Sequence, residues 1–200
     1  MVAVETYDFS FTASSLRLND MRLVATHQLE STQIDFVSEL GNGKSSTGKR
    51  MLAEFNKRLS FLTKDEMEIL VNGDLTSQKQ IAFLAVCKAH AFIRDFVVEV
   101  LREKILIFDY EITEGEYHSF YRRKSELHPE LELRTDITQN KIKQVVFKIL
   151  EQAGLIDSVK SKNIQPQLLD ENLLKTFATS DRQWLKVFYM SDMDIENIKI

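Results

Sequence analysis

The stretch Ile81-Ala-Phe-Leu-Ala-Val-Cys87 is apolar at every position around about two helical turns. A surface helix must keep one face polar, so this segment reads as a central helix buried on all sides, organising everything else. Beyond His90, the residues Ile93, Phe96, Val97, Val100, Leu101, Ile105 and Phe108 recur at helical spacing with charges between them, which predicts a second core helix.

Working outward, Thr63/Glu66, Ser77/Gln80, Thr113/Glu116 and Ser180/Gln183 all have capping-box spacing. In that motif a hydroxyl accepts from one orphan amide while the acid or amide side chain reaches back to another. Helices are expected near Ser15 to Leu29, Thr32 to Leu40, Lys49 to Leu62, and Thr113 to Leu127, where Pro129 should stop the chain. A further helix from about Gln139 to Ala153 puts Ile142, Val145, Val146, Ile149 and Leu150 inward and ends at Gly154. Leu155 to Gln167 reads as a short hairpin or a loop, with two short helices near Asp170 to Phe177 and Asp181 to Tyr189 closing the fold. Only six glycines and two prolines are present, little turn chemistry for a sheet. The fold class is therefore all-α: residues 1–10 as an N-terminal extension, then one compact helical domain over 11–200. Within it a lobe over about 11–75, central helices over about 77–127 and a C-terminal lobe over about 135–190 are expected.

With 200 residues and 44% apolar content the chain can bury a full core. The single cysteine, Cys87, excludes an internal disulfide and fits a reducing cytoplasm. The polar, acidic start lacks a secretory signal, and the longest apolar stretch, Ile81 to Leu106, carries Lys88, Arg94, Asp95, Glu99, Arg102 and Glu103. Neither export nor a membrane span is expected. Net charge is -4, from 26 basic and 30 acidic residues, so any nucleic-acid binding must come from local charge distribution.

No catalytic constellation emerges. Gly43-Lys-Ser-Ser-Thr-Gly48-Lys49 has P-loop spacing, but Arg50 stands where the magnesium-binding hydroxyl belongs, and no apolar strand precedes it. The loop reads instead as amides, hydroxyls and lysines that meet a phosphate at a helix N-terminus, or as a solvated connection. His27, His90, His118 and His128 lack metal-ligand spacing, and Asp192-x-Asp194-x-Glu196 has Asn197 where a calcium loop needs glycine. No enzyme activity, metal or cofactor is expected.

Basic clusters on helices with a committed apolar face remain. Lys44, Ser45, Lys49, Arg50, Lys57 and Arg58 form one, Arg122, Arg123 and Lys124 a second, and Lys141, Lys143, Gln144 and Lys148 a third, with Lys160 and Lys162 in the loop beyond. Any one of these is ordinarily a solvated face. The third, however, is a capped helix ended by Gly-Leu-Ile and followed by a basic loop, the order of recognition helix and wing in a winged helix-turn-helix. Gln144 alone there has a base-reading side chain, since glutamine pairs bidentately with adenine.

Four stretches read in order, Phe11-Thr-Ala-Ser-Ser-Leu-Arg17, Phe92-Ile-Arg-Asp-Phe-Val-Val-Glu-Val-Leu-Arg-Glu-Lys104, Phe120-Tyr-Arg-Arg-Lys-Ser-Glu-Leu-His-Pro-Glu-Leu131 and Val146-Phe-Lys-Ile-Leu-Glu-Gln-Ala-Gly-Leu-Ile156, resemble the BrxA family of BREX phage-defence systems. The resemblance implies an all-α, monomeric accessory protein with helix-turn-helix elements. It further implies binding to double-stranded DNA beside a DNA methyltransferase and other BREX proteins. The family is also similar to NusB-type RNA-binding proteins. Binding of duplex DNA through phosphate contacts is the leading expectation, with a protein adaptor second and RNA binding third.

Overall fold

The computed structural model describes residues 5–198, and among them the chain is helical with two isolated β-bridges. A 3-10 turn (Ser10–Ala13) leads into α1 (Leu18–Leu29), α2 (Phe36–Glu39), α3 (Ser45–Leu59), α4 (Lys64–Asn72) and α5 (Leu75–Ala89). Next, α6 (Ala91–Phe96) runs through a π-helical stretch (Val97–Arg102) into α7 (Glu103–Leu106). Then come α8 (Glu114–Ser125), α9 (Pro129–Glu132), α10 (Asp136–Ala153), α11 (Glu171–Ser180), a 3-10 helix (Arg182–Phe188) and α12 (Asp192–Asn197).

The apolar stretch behaves as its composition requires. Every residue from Ile81 to Cys87 is fully buried, and α5 packs on α1, α3, α4, α6, α10 and the 3-10 helix Arg182–Phe188. Burial raises the pKa of the Cys87 thiol, so this residue is an inert packing group. The core is one continuous cluster running from Tyr7 to Ile195, so the expected lobes share it.

The N-terminal segment differs from an extension. Residues 1–4 lie outside the described part, but Tyr7 and Phe9 are buried. The Tyr7 hydroxyl donates to Asp95 at 2.7 Å and its amide to Glu130 at 2.6 Å, while its ring stacks on His128 at 3.7 Å. Aromatic contacts, edge-to-face except for the tilted Phe120–Phe96 pair, then carry the packing from Tyr7 to Phe92, Phe120, Phe96 and finally Phe147 on α10.

Two of the expected capping boxes form in full, at Thr63 and Thr113. The other two starts move. Asp74 caps α5 and Asp181 caps the 3-10 helix, because an ionised carboxylate accepts from backbone amides more strongly than a nearby serine hydroxyl. Pro129 opens a turn of helix rather than only ending one, occupying the first position where its missing N–H is no loss. The acidic tail that hinted at a calcium loop is α12, capped by Ser191.

At the junction of the helices, Arg102 is 4% exposed and its Nε donates to the Met190 carbonyl at 2.8 Å, pinning the C-terminal segment to the π-helical stretch. The chain leaves α7 through Phe108, which has φ 61° and is 80% exposed, contrary to the core position its spacing predicted. Glu111 bridges Asn163 and Ile156 bridges Ile164, so residues 110–112 lie along the edge of a hairpin formed by 155–165.

Candidate nucleic-acid interface

Thr135 caps α10 by accepting from Thr138, and Gly154 at φ 81° ends it in the left-handed conformation expected there. Ile142, Val145, Val146, Ile149 and Leu150 are buried on one face, which leaves Lys141, Gln144 and Lys148 exposed on the other. The hairpin then folds back beside this face. Lys162 lays its ammonium over the Phe147 ring at 5.4 Å, and Lys160 is exposed at the hairpin tip.

One carboxylate joins these pieces. Glu114, the first residue of α8, accepts from Lys143 at 2.8 Å and from Lys162 at 2.9 Å. Hydrogen bonding from Lys143, then from Lys162, holds its carboxyl down to about 2, well below the usual value. Two of the expected cations are therefore neutralised by a side chain half open to solvent.

A groove of about 630 Å³ runs along this surface, lined by Lys141, Lys143, Gln144, Lys148 and Lys162 with Glu114 among them, together with Thr12 to Ser15 and Arg17. A second groove, of about 400 Å³, contains Arg50 and Lys57 of α3 together with Asp8 and Ser10. Thr12 and Ala13 line both grooves, so the 3-10 turn is a ridge with basic residues on each flank. Arg50 and Lys57 of the first sequence cluster thus flank the same ridge as the α10 residues of the third, although α3 and α10 are distant in the chain.

Several expected residues have other duties. Arg58 is fully buried, so it cannot reach a ligand at the surface. Its Nε donates to Glu54 at 2.8 Å, Nη1 to the Ser15 carbonyl at 2.8 Å and Nη2 to the Ser14 carbonyl at 2.6 Å. Lys124 is likewise buried, against Asp95 and Glu99, and Arg123 pairs with Glu99 at 3.0 Å. The second cluster thus ties α8 to the α6 helix and lines neither groove, with only Arg122 left without an ion pair among the described residues. Lys57 pairs with Asp8 and Lys148 with Glu151. Lys44, Ser45 and Lys49 are exposed at the start of α3 but outside both grooves, and α2 precedes them where a P-loop would require a strand.

Arg17 was missed. It lines the larger groove at φ 46°, with its amide donating to Gln152 at 3.3 Å and an ion pair to Asp20. Only its place at the end of the Phe11–Arg17 stretch singles it out in sequence.

Behind the ridge, His90 and Glu54 share a short hydrogen bond of 2.6 Å, Nε2 to Oε1, while the buried His90 Nδ1 has no partner among the described residues. Burial holds His90 below its usual pKa of 6.5 despite Glu54, so the ring is neutral and its Nδ1 lone pair carries no proton. Burial alone would raise Glu54, but the hydrogen bond from His90 and the charge of Arg58 outweigh it and hold the carboxyl low. Both shifts have the same sign: the unfolded chain takes up protons first, so stability is fully present above pH 6.5 and falls as the pH drops through each depressed value. The urea midpoint should stay level from about pH 8 to 6.5 and decline below. His90→Gln should remove the upper part of that decline, and an unchanged profile would contradict this origin.

Among the described residues no helix is long and apolar enough to cross a membrane, and no cluster of His, Cys, Asp and Glu could hold a metal ion. In solved structures, an uncharacterized protein from Magnetospirillum magneticum shares the fold with a TM-score of 0.79 at 19% identity, over 93% of this chain and 99% of that one. BREX protein BrxA of Escherichia coli O9:H4 (strain HS) is 26% identical over 60% of this chain and 56% of its own length. The BREX protein BrxA of Bacillus cereus (strain H3081.97) is 25% identical over 65% of this chain and 66% of its own length. These two matches therefore span about half to two thirds of the relatives. The BREX protein BrxA of Paramagnetospirillum magneticum (strain ATCC 700264 / AMB-1) is 20% identical over 92% of this chain and 96% of its own. Residues 5–181 match the BrxA family, with all of the ridge, both grooves and the hairpin inside the match, and the chain belongs to that family.

Proposed function

We propose that this chain is a non-enzymatic accessory protein of a BREX bacteriophage-defence system that binds double-stranded DNA. The relatives' names supply the system. The observation that carries DNA is the convergence of Arg17, Lys141, Lys143, Gln144 and Lys148 with Lys162 of the hairpin along one groove.

The connectivity supports the same reading. Helix α6 with its extension, the edge segment 110–112, α8, α10 and the hairpin follow one another as the helices, strands and wing of a winged helix-turn-helix do, with α9 inserted before the recognition helix. Helix α10 is about 27 Å long, enough to cross a major groove about 12 Å wide. Lys141 and Lys148 then meet phosphates on either side of Gln144, the base-reading residue, while Lys160 and Lys162 reach the backbone. The exposed aromatics Phe61, Phe108 and Tyr110 line neither groove, which disfavours single strands, whose bases need stacking platforms.

Fluorescence anisotropy with a labelled duplex tests this. Affinity should fall with salt at a log-log slope of roughly -4, set by about four to five phosphate contacts. Glu114→Gln frees Lys143 and Lys162 and should tighten binding about fivefold, the equivalent of ~1 kcal/mol for one charge removed near the surface. No binding at low salt, or tightening without a steeper slope, would count against the proposal.

One observation favours an adaptor role instead. Ile107 and Phe108 are 72% and 80% exposed at one loop tip, an apolar surface suited to another BREX protein such as the methyltransferase. RNA binding is decided by competition between duplex RNA and duplex DNA at matched salt.

A further inference from the structure

The ridge between the two grooves has little regular structure of its own, and what fixes it lies behind it. At one end, the Ser10 hydroxyl donates to Glu54 Oε2 at 2.7 Å. At the other, the carbonyls of Ser14 and Ser15 accept from the two terminal nitrogens of Arg58. Between them, Glu54 Oε1 receives the Nε of Arg58 and the Nε2 of His90. A single buried ion pair on α3 therefore holds both ends of the segment that lines both grooves.

We propose that Arg58, clamped by Glu54, is a positioning residue for DNA: it sets the Ser10 to Arg17 backbone so that Arg17 faces the larger groove while Ser10 faces the smaller one. This rests on the duplex-binding reading above. The guanidinium suits the task because its planar fork sends three donors along fixed, divergent directions to one carboxylate and two successive carbonyls. A lysine ammonium carries the same charge on a flexible stem and cannot hold all three. Arg17 gains most, since the left-handed residue sits between the clamped carbonyls of Ser14 and Ser15 before it and the first turn of α1 after it, where its carbonyl accepts from Met21 at 3.0 Å and its amide donates to Gln152.

Arg58→Lys, with folding confirmed by thermal melting, is the test. Amide hydrogen exchange over 12–17 should quicken while α5 and α10 keep their protection, and duplex affinity should fall about tenfold through weaker preorganisation. Ser10→Ala leaves no charge unpaired, so it folds, and it should weaken binding about threefold with faster exchange at the same segment. If Arg58→Lys does not fold, Ser10→Ala decides alone. Wild-type exchange or wild-type affinity in a folded variant overturns the positioning role and leaves the duplex reading intact. Absence of binding by the wild-type chain overturns both.

Discussion

Arg58→Met is expected to lower the unfolding free energy by about 3–5 kcal/mol, read from urea denaturation at pH 7.5. The methionine fills a similar volume, so the loss is electrostatic. Glu54 keeps its buried charge with only His90 and Ser10 as partners, and the carbonyls of Ser14 and Ser15 lose their donors. Adding Glu54→Leu to the same chain should recover part of the loss, because replacing a whole buried pair by apolar groups is far less damaging than orphaning one member. Recovery stays incomplete, since the two carbonyls and His90 remain unsatisfied. A loss below 1 kcal/mol for Arg58→Met would mean that the pair is open to water, contrary to its complete burial.

Lys141→Glu combined with Lys148→Glu should weaken duplex binding about a hundredfold at 0.1 M salt, near tenfold for each phosphate left without its lysine. Both side chains are exposed on the outer face of α10, so melting temperature should move little. The salt slope should flatten by about two units. The same variant separates the readings: if it abolishes duplex binding and still associates with another BREX protein, the DNA and protein surfaces are distinct. Unchanged duplex affinity would remove α10 from the interface. Arg122→Glu with Arg123→Glu provides the contrast, because that cluster lines neither groove.

What the chain disclosed in advance followed physical rules that act locally. The buried helix α5 and the two-faced helix α10 are legible because a run of apolar residues, or an apolar stripe, leaves one way to satisfy burial. Thr63 and Thr113 are legible because their caps depend on residues three positions away. Arg58 is not, since nothing nearby in sequence announces that Ser14, Ser15 and His90 will close over it. Sequence reading assigns a lone cation to water by default. Glu114 is hidden for the same reason: its partners Lys143 and Lys162 arrive from α10 and from the hairpin, so its effect on the groove exists only in the folded chain.

The π-helical stretch Val97–Arg102 has a wider reach than its few residues suggest. Its i→i+5 bonding slips the helix face by roughly one residue, so a continuous 3.6-residue pattern written across it encodes two facings rather than one. Ile93, Phe96 and Val97, before the slip or at its start, are wholly buried. Leu101 and Arg102 at its end are buried, and past it Lys104 is buried while Ile105 is only partly so; Phe108, apolar and in phase on paper, lies beyond the end of α7, where its left-handed backbone turns it out. Those inward cations are not stranded: Arg102 meets the Met190 carbonyl, and Lys104 meets Asp109 and Glu116. The helical rod that carries this slip thus fastens the C-terminal segment through Arg102 and the start of α8 through Lys104.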